Sequence, residues 1–137
     1  MLLSGNQLTN IGTFENLPQL RYLYIQDNKI GEGGNVKIPD FSGCPRMQYL
    51  IGFNNKFSGY ENGAFKDLGM VRVIDFSNNP NLSQSAMEKI FEDLVKNWEN
   101  SNRGGVSINF KGCGSQSEVA LESILFLRGK GWSITID

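Results

Sequence analysis

Side chains able to do covalent chemistry are scarce in this 137-residue chain, and their spacing works against it. It holds no histidine, which removes the usual general base, the usual activator of a nucleophile and the commonest zinc ligand. Two distant cysteines, Cys44 and Cys113, do not make a metal set. Asp27 and Asp75 are carboxylates without an evident acid-base partner. Gly31-Glu32-Gly33-Gly34-Asn35 is glycine-rich, but no Lys-Ser/Thr follows, as a phosphate-binding loop requires. A turn in which glycine permits positive φ accounts for it. No catalytic, cofactor-binding or metal-binding residue is assigned, no cofactor is implied, and the chain is expected not to be an enzyme. The chemistry left to it is contact chemistry, carried by Tyr22, Tyr24, Tyr49 and Phe53, which recur at a spacing that calls for a repeated scaffold.

That scaffold is written in the chain. Leu20-Arg21-Tyr22-Leu23-Tyr24-Ile25-Gln26-Asp27-Asn28-Lys29-Ile30 has the form L-x-x-L-x-L-x-x-N-x-L, and Met47 to Phe57 repeats it in register. Val71 to Asn79 gives most of it again, and Met1 to Leu8 reads as the tail of an earlier copy. The phrase resembles the leucine-rich-repeat signature. Its asparagine positions, Asn6, Asn28, Asn55 and Asn79, are 22, 27 and 24 residues apart, inside the family's period of about 20–29 residues. Each L-x-L segment is a short strand that pairs in parallel with its counterpart in the next copy. Side chains alternate across a strand, so the consensus apolar positions turn inward and the intervening ones line one open face. Asparagine suits its position because its amide both donates and accepts, satisfying backbone groups where the chain leaves the strand. One coil cannot bury its own apolar face, so stability comes from stacking.

Beyond Asn79 the copies degrade but continue. Val106, Ile108 and Phe110 alternate as a strand, with Cys113 at the asparagine position, and Trp132, Ile134 and Ile136 form a last strand. A helix is predicted before each. Ser85 with Glu88 reads as a capping box ahead of Met87, Ile90, Phe91, Leu94, Val95 and Trp98. Ser115 with Glu118 reads as a second, ahead of Val119, Leu121, Ile124, Leu125 and Leu127, with Gly129 and Gly131 as the stop. Two local departures stand out. Gly52 occupies a position where an inward apolar residue is expected, so neighbouring side chains must fill the gap or the strand must bulge. Pro80 and Leu82 displace the end of their copy by one residue.

The length suits one domain, taken as 1–137, with irregular coils over 1–82 and a helix–strand–helix–strand closing segment over 83–137. Net charge is −1 with no basic run, which argues against nucleic acid. No apolar run approaches the roughly 18 residues of a membrane span, so no membrane insertion is expected, and Met1 onward runs straight into repeat sequence without a secretory signal. Because the first copy lacks its front half and terminal coils need caps, a longer parent protein or a covering partner is expected. Cys44 and Cys113 are expected about two coils apart, at roughly 4.8 Å per coil, which is too far for comfortable bridging; two buried free thiols are expected.

The open face is where function is expected. Its middle positions are Leu2, Tyr24, Ile51, Asp75 and Asn109; those before them are Tyr22, Tyr49, Val73 and Ser107; those after them are Gln26, Phe53, Ser77 and Lys111. With strands about 4.8 Å apart, Tyr22, Tyr24, Tyr49, Ile51 and Phe53 should form one patch. Apolar patches with tyrosine mark contact surfaces, although aromatic residues also simply suit strands. Arg21, Arg72, Asp27 and Lys111 would rim it with mixed charge. The candidate partner-binding set is Arg21, Tyr22, Tyr24, Gln26, Tyr49, Ile51, Phe53, Arg72 and Asp75.

Two phrases narrow the resemblance. Lys37-Ile38-Pro39 and Asn55-Lys56-Phe57-Ser58-Gly59 resemble plant-type leucine-rich repeats. The closing Gly131-Trp132-Ser133-Ile134-Thr135-Ile136-Asp137 resembles the end of phage and bacterial members. The resemblance implies an α/β fold, a leucine-rich-repeat solenoid with a parallel concave sheet, convex turns and short helical pieces, and two C-terminal helices. It also implies a non-catalytic module binding a protein or surface glycan, as a virion tail-fibre-associated protein contacting a host receptor or neighbouring virion subunits. A bacterial cell-surface adhesin or a purely structural spacer or cap is the alternative. The implied location is a virion or the extracellular cell surface.

Overall fold

The computed structural model describes all 137 residues. Inward leucine and isoleucine positions set its frame. Five three-residue strands, β1 (Tyr22–Tyr24), β3 (Tyr49–Ile51), β5 (Val73–Asp75), β6 (Ser107–Asn109) and β7 (Ser133–Thr135), pair in parallel in that order. Leu23, Leu50, Ile74, Ile108 and Ile134 align across all five and are buried. Leu2 adds a single parallel bridge to Tyr24, which places Met1–Leu8 where an earlier copy was expected. The fold is α/β, with a parallel sheet and two helices, and is compatible with a leucine-rich-repeat fold.

On the opposite side, β2 (Lys37–Ile38) and β4 (Gly59–Tyr60) form a second, two-stranded parallel sheet. Where the sequence predicts turns and short helical pieces, the structure has turns and these strands. The reason is the same stacking: Ser58 N–H donates to Val36 O (3.0 Å) and Glu61 N–H to Ile38 O (3.0 Å), so consecutive copies also pair along their outer edge.

The helices α1 (Gln84–Ser101) and α2 (Glu118–Gly129) stand before β6 and β7. Their caps differ from the predicted boxes. Ser83, with extended φ/ψ of −72°/156°, caps α1 by accepting from Ala86 N–H (3.0 Å), and Ser117 caps α2 by accepting from Ala120 N–H (3.2 Å). The third helical positions are thus alanines, and no glutamate returns the bond. Instead Leu82, just before the first cap, is buried along with Met87, the positions of a hydrophobic staple. Glu118 opens α2, where a negative charge favours the helix start. The buried face of α2 is narrower than its sequence predicts: Ala120, Ile124 and Leu127 are enclosed, whereas Val119, Leu121 and Leu125 are exposed.

α1 is fixed by polar anchors as well as by its apolar face. Asp93 accepts from Tyr60 O–H (2.7 Å) and Gly63 N–H (2.8 Å), and the Asn97 amide donates to Phe65 O and Leu68 O. Asp93 thereby pairs the buried Tyr60 hydroxyl and a turn N–H, and Asn97 adds a second donor to turn carbonyls that already accept backbone N–H groups. Through the interior runs a chain of phenylalanines, Phe14, Phe41, Phe65, Phe76 and Phe110, with successive ring centroids 5.2–6.4 Å apart. This chain joins the copies of irregular length into one core of 32 buried residues. Gly52, itself buried, lies against this core. The strand does not bulge; the Phe76 ring lies where a Cβ would stand, 2.5 Å from that position. The extra residue at Pro80 is absorbed in its turn, and Leu82 still reaches the core. Cys44 and Cys113 are buried free thiols.

Candidate interaction surface on the open sheet face

A ladder of asparagines holds the face in register. Asn28, Asn55 and Asn79 each donate to a carbonyl of their own copy and to one of the copy before. The carbonyls are shared: Ile25 O takes Asn28 and Asn55, and Gly52 O takes Asn55 and Asn79. Each side-chain oxygen accepts a backbone N–H of the preceding copy, from Leu8, Ile30 and Phe57 respectively. At Cys113 the thiol continues the ladder by donating to Phe76 O (3.0 Å). Burial pushes that thiol up to about 11. The residue before each ladder member adopts positive φ: Gly5, Asp27, Asn54, Asn78 and Gly112. Only glycine, asparagine and aspartate tolerate that conformation readily. Asn54 donates to Asp27 (2.7 Å) and Asn78 to Asn54 (3.0 Å), a second, exposed ladder beside the first.

Register then decides what shares the open face. Tyr22, Tyr49, Val73, Ser107 and Ser133 fall in one row, and Tyr24, Ile51, Asp75, Asn109 and Thr135 in the next. The face is divided. Its first half carries Tyr22 stacked on Tyr49, ring centroids 5.5 Å apart and 19° between planes. Tyr22 is 42% exposed, and Tyr24, Tyr49, Ile51, Phe53 and Val73 are half-buried. The second half is Ser107, Asn109, Ser133 and Thr135.

The remaining candidates sit around this patch. Arg21 and Arg72 are exposed just before their strands. Gln26 is half-buried, its Oε1 enclosed without a hydrogen-bond partner. The Asp75 carboxylate is taken up locally, accepting from Ser77 N–H (2.9 Å) and O–H (2.7 Å), so Asp75 shapes the strand exit. Asp27 is likewise held in the exposed ladder. Register counting misses Arg103, which arrives from the α1–β6 connection. Its guanidinium donates to Val71 O (2.7 Å) and Leu68 O (3.4 Å). With Tyr49, Arg72, Val73, Gly104, Gly105 and Ser107 it lines a cleft of 390 Å³ at the edge of the aromatic half. Burial, then the nearby Arg72 charge, lowers the Arg103 pKa. The available signal was Arg103-Gly104-Gly105 directly before the Val106 strand.

No group of three or more His, Cys, Asp or Glu side chains is gathered in a way that could hold a metal ion, and no helix is long and apolar enough to cross a membrane. What the surface offers is a ring platform, flanking aliphatic area and an arginine-lined edge.

No protein-family model matches the chain. Over 90 residues it is 34% identical to Tsukushi of Gallus gallus, an alignment covering 65% of this chain and 23% of that protein. Over 87 residues it is 32% identical to acidic leucine-rich nuclear phosphoprotein 32-related protein 1 of Caenorhabditis elegans, covering 62% of this chain and 38% of that protein. Both are leucine-rich-repeat proteins, which supports that family for this chain. The chain spans well under half the length of either relative. These animal proteins lend no support to the phage and bacterial resemblance of the closing phrase.

Proposed function

We propose that this chain is a non-catalytic leucine-rich-repeat module, a single-domain short solenoid that binds a partner protein on the aromatic half of its concave sheet face. The observation that carries this is the stacked pair Tyr22–Tyr49 on the open sheet, continued by Tyr24, Ile51, Phe53 and Val73. A face that only had to meet water could be filled as its other half is, with serine, asparagine and threonine. Protein interfaces favour aromatic centres with polar rims, and tyrosine and arginine dominate their energetics. Relatives of the leucine-rich-repeat type support a protein-interaction role rather than catalysis.

The test is partner selection from a displayed protein library by wild type and by Tyr24→Ala/Tyr49→Ala. Both side chains are only half-buried, so the double variant should keep its fold. The selected partner should bind the variant at least about tenfold more weakly, the loss of one or two interface anchors. Unchanged affinity with a large drop in melting temperature would make the tyrosines structural and overturn the reading. Virion attachment rests on the closing phrase alone, and binding through this face is independent of it.

A further inference from the structure

We infer that the cleft between Arg72 and Arg103 is an oxyanion subsite, which takes a carboxylate, sulfate or phosphate group presented by the partner protein. This rests on, and sharpens, the binding role proposed above. Arg72 and Arg103 line one cleft, near enough for the Arg72 charge to act on Arg103, and no acidic residue lines it. The ion pairs of the molecule involve Lys37 and Lys96 only, so neither arginine is neutralised. Arg103 meets only carbonyl dipoles, from Val71 and Leu68, and its Nε is enclosed with no acceptor. Its half-buried guanidinium is therefore a charge held in place without a counter-charge. Placing two like charges together is unfavourable, and an anion shared between them relieves it.

Geometry adds selectivity. Arg103 is held by its two carbonyl bonds, so its charge is preorganised, whereas Arg72 is exposed and free to close over a ligand. The exposed Arg72 offers a free guanidinium fork, which suits a planar or tetrahedral oxyanion in a bidentate manner, while Arg103 adds fixed positive charge. Gly104 and Gly105 leave part of the cleft lining without side chains, and the Ser107 hydroxyl adds a donor. Tyr49 lines the same cleft and stacks on Tyr22, so an acidic group seated here leaves the rest of its partner lying over the aromatic patch.

The experiment is an amide-shift NMR titration at low ionic strength with sodium acetate, sodium sulfate and sodium phosphate in separate arms. Saturable shifts at Tyr49, Val73, Gly104 and Ser107 are expected. A strongest response to acetate assigns an acidic side chain or terminus; a strongest response to sulfate or phosphate assigns a modified residue. Arg72→Gln should weaken binding about tenfold, the loss of one charge-assisted contact, and Arg103→Lys should weaken it while leaving the fold intact. Tyr24→Ala should bind the anion as wild type does, because Tyr24 does not line the cleft, yet should bind the partner less well. Loss of the partner with anion binding intact therefore separates the two claims. An absence of saturable shifts, or anion binding undiminished in Arg72→Gln, would overturn the subsite.

Discussion

Replacing Asn55 by alanine isolates what the ladder contributes. Asn55 is 2% exposed. Its oxygen is the acceptor for the buried Ile30 N–H (3.1 Å), and its amide donates to Ile25 O (3.0 Å) and Gly52 O (3.2 Å). In the variant Ile30 N–H is orphaned outright, which costs about 1–3 kcal/mol. The two carbonyls keep a partner each, from Asn28 and Asn79, so together they lose about 1–2 kcal/mol. The sum is about 2–5 kcal/mol, or roughly 6–20 °C in melting temperature for a chain of this length. Asn6→Ala is the control. It makes the same bonds within its own copy, to Leu3 O and Ser4 O, but is exposed, so water replaces them and about 0.5 kcal/mol or less is lost.

The two variants are compared by urea unfolding followed by circular dichroism. Asn55→Asp gives a sharper test, since a carboxylate accepts but cannot donate to the two carbonyls. Burial raises its folded pKa above the unfolded value of about 3.9. An acid whose pKa rises on folding loses stability as pH climbs past the unfolded value, so Asn55→Asp should lie nearest wild type below about pH 4 and fall away towards neutrality. Equal losses for Asn55→Ala and Asn6→Ala, or a pH-independent Asn55→Asp, would refute the ladder's role.

Gly52→Ala brings a Cβ to 2.5 Å from the Phe76 ring, and overpacking of this kind costs about 1–3 kcal/mol; Gly34→Ala, with nothing within 4 Å, should change the urea midpoint little. The Cys113 thiol, raised to about 11 in the folded protein, should resist thiol reagents until the protein unfolds. Its contribution is intact below the ordinary thiol value of about 8.5 and is lost as pH rises through about 11, so Cys113→Ala should flatten the alkaline limb of a stability–pH profile.

The sheet was legible because its determinants are local and repeat. Leu23, Leu50 and Ile74 each follow an x-x-L spacing and precede an asparagine, and alternation alone puts their neighbours outside. The weaker strands β6 and β7 were legible for the same reason. The second sheet was not, because a two-residue strand such as Lys37–Ile38 leaves no period to detect; its pairing comes from stacking the sheet already formed. The helix starts were displaced by two residues because Ser83 and Ser85, like Ser115 and Ser117, have the same cap chemistry. The choice falls to what the core takes in, and it takes in Leu82 as well as Met87. The exposed apolar flank of α2, Val119, Leu121 and Leu125, is not legible in the spacing, because burial there depends on what lies beside the helix.

The proposed interaction surface is legible only in part, and the ladder explains why. The repeat constrains the inward positions and the turn. At Asn28, Asn55 and Asn79 a wrong side chain strands buried backbone groups, and at Asp27, Asn54 and Asn78 a wrong one strains positive φ. Between them the outward positions are thermodynamically loose, so Tyr22, Val73 and Ser107 occupy equivalent places in one row at little cost to the fold. That freedom lets one scaffold carry a partner-specific surface, and it also removes the partner from the motif. Row counting recovers the side chains that strands display, the Tyr22–Tyr49 pair among them. It cannot recover Arg103, whose place beside Arg72 depends on how the α1–β6 connection closes over Val71 and Leu68. The aromatic half of the surface is thus a property of the repeat register, and its charged edge a property of tertiary closure.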